Sequence, residues 1–184
     1  AEVLAGLAPA VRPLWSMAVG VPVTASMCRD AGLDVTDAHL RELAHLGLLA
    51  GTGATYTVAP VLCAAARRAH PAPPARRRAF ADAAARWLRE RGRPGDALRA
   101  VRTLGDPAAL ADHLAEHGAD LLATGEVAAV ADAVRAVPEP LPPAVHVVAG
   151  QADTILGDWD GALGHFRHVA GGTGPLPAAI AWRL

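Results

Sequence analysis

The chain has 184 residues, a formal net charge of −1, and a composition that is 52% apolar but only 4% aromatic. That length can bury one large or two small cores, and the near-zero charge removes any general pull toward nucleic acid or an anionic membrane. All 17 basic residues are arginine, so a phosphate cradle that depends on lysine is excluded. Cys28 and Cys63 stand apart without CxxC spacing and read as buried free thiols of a cytoplasmic protein. No apolar run reaches the roughly 20 residues that span a bilayer, and no signal peptide is visible. The chain begins without methionine and closes on Ala-Ile-Ala-Trp-Arg-Leu, which reads as the opening of another helix. A fragment of a longer polypeptide is therefore expected.

In chain order, Leu4, Leu7 and Ala8 suggest an opening helix, and Val11, Leu14, Trp15, Ala18 and Val19 a second. Gly20-Val21-Pro22 breaks the pattern. A short helix from Thr24 to Ala31 follows, then a longer one from about Thr36 to Leu46 that carries Leu40, Leu43 and Leu46. Leu48-Leu49 lead into Gly51-Thr52-Gly53-Ala54 and then Thr55-Tyr56-Thr57-Val58. A glycine-bearing turn between two short apolar runs predicts a β-hairpin. Helices followed by a hairpin are the order of a winged helix, and a further helix from Pro60 to Ala69 closes the unit. The expected boundary is the proline-rich run of residues 71–75, since prolines this dense cannot sit inside a helix.

Beyond that boundary the pattern is purely helical. Phe80, Ala84, Trp87 and Leu88 form one apolar stripe at i, i+4, i+7 and i+8. Arg91 to Pro94 stop that helix, and Ala97, Leu98 and Val101 restart an apolar face. Asp106-Pro107 supplies an N-cap acceptor and a proline at the first helical position. Leu110, Leu114, Leu121 and Leu122 make the next stripe, and Val127, Val130, Val134 and Val137 another. Gly150, Gly157, Ala162 and Phe166 occupy the small and aromatic positions of a tetratricopeptide repeat. Small residues let antiparallel helices approach, while the aromatic fills the space between pairs. Gly92 to Ala97 repeats the spacing of Gly157 to Ala162.

The motif Trp87-Leu88-x-x-x-Gly92-x-x-x-x-Ala97-Leu98, with Gly105-Asp106 and Glu116-His117-Gly118, resembles large ATP-dependent regulators of the MalT/LuxR type. These are bacterial signalling ATPases of the STAND class. The resemblance implies an ATPase domain, a winged helix, a superhelix of tetratricopeptide-like hairpins that senses an inducer, and a C-terminal helix-turn-helix. It spans essentially the whole chain, with the winged helix at 1–70, a linker at 71–75 and incomplete repeats at 76–184. In that family the segment after the wing often carries a histidine facing the nucleotide. Ala59 stands in its place within Tyr56-Thr57-Val58-Ala59-Pro60, which separates this chain from nucleotide sensing through that domain. ATP or ADP is implied for the full-length protein only, through an upstream domain, and no cofactor is expected here.

Four constellations compete with this reading. The helix from Thr36 to Leu46 would be the DNA-reading element of a winged helix, but it offers Asp37, His39, Arg41, Glu42 and His45, and the wing from Gly51 to Thr55 has no basic residue. Such a face matches phosphates poorly. Arg67, Arg68 and Arg76 to Arg78 cluster around the prolines and read as a solvated boundary face. His113-Leu114-Ala115-Glu116-His117 is a literal H-x-x-E-H, the spacing of a zinc hydrolase helix, yet no third ligand is marked, and the resemblance to the regulator family implies that Glu116-His117-Gly118 is a plain helix end. His165 and His168 read as a solvated face, and Asp158 and Asp160 as capping residues. No catalytic, cofactor-binding or metal-ligating residue is assigned.

The expectation is a mainly α protein, a winged helix with a small hairpin followed by an α-α superhelix. Its expected role is regulatory: the winged helix couples an upstream ATPase to repeats that offer a surface to an inducer or a protein partner. DNA would be reached only through a separate helix-turn-helix. The alternatives are an autonomous winged-helix DNA-binding regulator with a helical dimerisation domain and, more distantly, an H-x-x-E-H zinc hydrolase.

Overall fold

The structure is a computed structural model that describes residues 11–18 and 20–171. The opening helix expected around Leu4, Val19, and the C-terminal helix expected at Ala-Ile-Ala-Trp-Arg-Leu lie outside the described residues. Among those described, the chain is mainly helical with one two-stranded antiparallel sheet. Its contacts divide it into two compact units, one up to Gly105 and one from Asp106 onward.

The first unit opens with α1 (Arg12–Met17), α2 (Ala25–Asp30) and α3 (Asp37–His45). Each start has a local cause. Pro13 sits in the first turn of α1, where the missing N–H costs nothing. The Thr24 side chain accepts from the Met27 N–H at the start of α2. At α3, Thr36 and His39 form a reciprocal capping box, with the His39 ring accepting from the Thr36 N–H.

Strands β1 (Leu49–Thr52) and β2 (Thr55–Val58) pair with Leu49 opposite Val58 and Gly51 opposite Tyr56. Alternation sends Tyr56 and Val58 inward and leaves Thr57 exposed. Gly51 has φ 138°, and a Cβ there would run into the Thr55 carbonyl oxygen, so only glycine fits. Val23 adds a single bridge to the other edge of β2, exchanging backbone hydrogen bonds of 2.7 and 2.9 Å with Tyr56.

Helix α4 (Pro60–Ala69) packs on α1, and α5 (Pro74–Arg89) packs on α2 and α1. Leu14, Trp15, Val23, Cys28, Leu40, Tyr56, Cys63 and Phe80 share one core with Ala72. The proline run therefore interrupts the helices without leaving that core: prolines forbid continued helix, but Ala72 between them is buried. Helix α6 (Pro94–Arg102) pairs with α5 as a helical hairpin.

The second unit contains α7 (Pro107–Ala123), α8 (Val127–Val134), α9 (Pro143–Leu156) and α10 (Trp159–Ala170). Asp106 caps α7 by accepting from the Ala108 and Ala109 N–H groups, and Asp158 caps α10 by accepting from the Gly161 N–H. Helix α9 packs against α7, α8 and α10. Val130, Val145, Ala149, Ala152 and Leu114 are buried among these helices. Small residues face large ones at two points. A Cβ on Gly150 would meet the Phe166 ring at 2.6 Å, and one on Gly118 would meet the Val148 methyls at 2.6 Å. Gly157 answers a different need: its φ of 81° makes it the left-handed C-cap of α9, with open space around it.

Candidate functional site

The face of α3 that would enter a groove is set by burial of Leu40 and Leu43, which turns Asp37, Arg41, Glu42 and His45 to solvent. Arg41 folds back, its Nε donating to the Asp37 carbonyl at 3.3 Å. His39 is engaged in the capping box. What remains exposed is two carboxylates against one arginine. At the hairpin tip, Gly51, Gly53 and Ala54 are exposed and uncharged, so the tip adds no cation to the face. Chemically this surface can cap and pack, but it offers little to a phosphate backbone.

The H-x-x-E-H residues lie within α7, which continues to Ala123, so Glu116-His117-Gly118 is not the helix end expected of it, and they do not converge on an open site. His113 is buried, Glu116 faces solvent, and His117 lies between them. The two imidazoles meet edge to face with centroids 4.9 Å apart, and His117 Nε2 lies 3.5 Å from a Glu116 carboxylate oxygen. No group of three or more His, Cys, Asp or Glu side chains in metal-holding geometry occurs among the described residues.

His168 is exposed, as expected of a solvated face, while His165 is half-buried, and both meet a third histidine. His146, buried on α9, stacks on His168 with centroids 4.8 Å apart, and its Nδ1 lies 2.9 Å from Nδ1 of His165. On the far side of His165, Nε2 is 3.6 Å from an Asp153 carboxylate oxygen. Burial pushes His146 below its ordinary value, and the neighbouring His165 and His168 push it the same way against an opposing pull from Glu139. Burial also pushes the Asp153 carboxyl up. The sequence placed His165 and His168 on one helix face but gave no sign that His146, 19 residues away, would meet them. Only the α9–α10 hairpin brings them together.

The arginine cluster around the prolines is divided by the fold. Arg68 and Arg76 are exposed, whereas Arg67 and Arg77 are half-buried. Both cysteines are buried and free. Burial pushes the Cys28 thiol up to about 12 and raises Cys63 as well, the latter partly offset by Arg67. Neither thiol has the electropositive, open setting of a reactive cysteine.

The largest departure from an ordinary surface is apolar. Ile155 and Leu156 end α9, Trp159 begins α10, and Leu163 follows one turn later; all four are exposed, Trp159 to 67%. Trp159 and Leu163 share a helix face at i, i+4.

No family model matches the chain. No curated protein matches it, and no solved structure does. No helix among the described residues is long and apolar enough to cross a membrane.

Proposed function

We propose that this chain is a regulatory, partner-binding segment of a signal-responsive transcriptional regulator. In this reading the first unit is a winged helix whose hairpin and α3 serve as a coupling element beside an ATPase domain. The second unit belongs to a tetratricopeptide-like superhelix that takes a protein partner or an inducer. The observation that carries it is the exposed run of Ile155, Leu156, Trp159 and Leu163 on a helical hairpin built by small-to-large packing. Two further features favour it. The order of three helices, hairpin and helix, with Val23 bridging Tyr56, matches the order expected of a winged helix. The α3 face carries two exposed acids and an arginine that is turned onto its own backbone, which favours coupling over DNA reading.

The test is titration of the chain into fluorescent duplex DNA at low and at moderate salt. A coupling element gives no binding at either. Micromolar binding that weakens steeply as salt rises means that the first unit contacts phosphates through counterion release. That outcome removes the coupler reading in favour of an autonomous DNA-binding regulator.

A further inference from the structure

A crevice of about 400 Å³ opens in the first unit between Ser16 of α1, Arg67 of α4, residues 71–74 and Arg77 of α5. It is independent of the regulatory reading above. Three of its wall residues, Pro71, Pro73 and Pro74, have fixed φ and no backbone N–H, and Ala72 between them is anchored in the core. The wall is therefore apolar and stiff, and its prolines bring no backbone donors.

Against this wall stand two guanidinium groups. Arg67 is held in place, its Nε donating to the Ser16 carbonyl at 3.1 Å and its Nη2 to the Thr103 carbonyl at 3.3 Å. Those acceptors are neutral, so its charge is not cancelled, and Nη1 keeps its donors. Arg77 Nε is buried and donates to no acceptor. Among the described residues, the ion pairs involve other arginines, and neither Arg67 nor Arg77 is within pairing distance of a carboxylate. Because Nε is closed to solvent, the edge open to a ligand is that of the two terminal nitrogens, for which no hydrogen bond occurs among the described residues, and a planar guanidinium edge fits a carboxylate with two parallel hydrogen bonds.

We propose that this crevice binds the carboxylate of a small organic acid, with Arg77 as the fork that receives it, Arg67 as a second, pinned cation, and the proline wall against its apolar body. The volume lies in the range of small-molecule sites, and the single-sided apolar lining selects a compact hydrophobic acid over a bare inorganic anion. Arg68 and Arg76, exposed nearby, take no part.

The experiment is titration of the whole chain with benzoate, read through the Arg Nε–H resonances and by calorimetry, with benzamide and inorganic phosphate as comparisons. Saturable one-to-one binding of benzoate that moves the Arg77 Nε–H signal is expected. Arg77→Gln should weaken it by about tenfold or more, the loss expected of a charge-assisted pair, and Arg76→Gln should leave it unchanged. If Arg77→Gln melts early, Arg77→Lys keeps the charge and loses the fork, and a several-fold loss is expected there. The proposal is overturned by non-saturating shifts, by benzamide or phosphate binding as tightly as benzoate, or by an affinity that neither Arg77 variant alters.

Discussion

At the scale of single residues, the sharpest physical consequence lies at His146. Its imidazole is buried between α9 and α10, faces His165 and His168 from α10 and Glu139 from the preceding loop, and sits below its ordinary value of 6.5. The unfolded chain therefore takes up this proton before the folded chain does. The stabilising contribution is complete above about pH 6.5 and is lost as pH falls through the lowered folded value. Asp153 runs the other way: its raised carboxyl costs stability above its ordinary 3.8 and returns it on protonation, a window that begins from the acid side. Urea unfolding monitored downward from about pH 7.5 should show the midpoint fall first, and His146→Leu should flatten that decline. An unchanged slope in the variant would mean that other groups set the pH dependence. Little of this was legible beforehand. The i, i+3 spacing put His165 and His168 on one face, but that this face meets His146 is decided by tertiary packing. By contrast, the isolated spacing of Cys28 and Cys63 was enough to anticipate two buried free thiols.

At the scale of elements, the glycines of the second unit separate two roles that sequence spacing merges. Gly150 faces the Phe166 ring and Gly118 faces Val148, so each is small because a neighbour occupies the place of a side chain. Gly164, within α10, has open space where a Cβ would go and an ordinary helical φ. Gly164→Ala should stabilise the protein by up to about 1 kcal/mol through helix propensity. Gly150→Ala gains the same propensity but forces the ring aside, a strain of about 1–3 kcal/mol, and should destabilise on balance. Thermal melts of the two variants should move in opposite directions; a shared direction would show that the Phe166 ring yields freely. The element starts were legible because capping is local: Thr24, Thr36, Asp106 and Asp158 accept from the N–H groups two or three residues on. Local chemistry could not tell that Ala72, within the proline run, is buried in the core, since proline rules out helix but does not decide burial. Nor could it tell that Gly157 turns the chain in the left-handed region while Gly150 accommodates a ring.

At the scale of the molecule, a formal charge of −1 provides no strong mutual repulsion between copies of the chain. The exposed apolar run of the second unit is then the feature most able to drive association. Four side chains, Ile155, Leu156, Trp159 and Leu163, form it, and a patch of that kind covers a few hundred Å². Stable pairs bury about 800 Å² on each partner, so self-association through this patch should be weak. The chain should be monomeric at micromolar concentration and begin to pair toward the millimolar range. Charge placed at the centre of the patch should abolish the pairing by desolvation, while the same change on an exposed polar face should not. Sedimentation equilibrium across that concentration range, on the unaltered chain, on Trp159→Glu and on Ala38→Glu as the polar-face control, checks this directly. Pairing lost only in Trp159→Glu identifies the α9–α10 patch as the adhesive surface, the one a partner would cover in the proposed regulatory role. Pairing that persists in Trp159→Glu places the contact elsewhere. A monomer throughout shows that four exposed apolar side chains, without a complementary partner, do not offset the entropy lost on association.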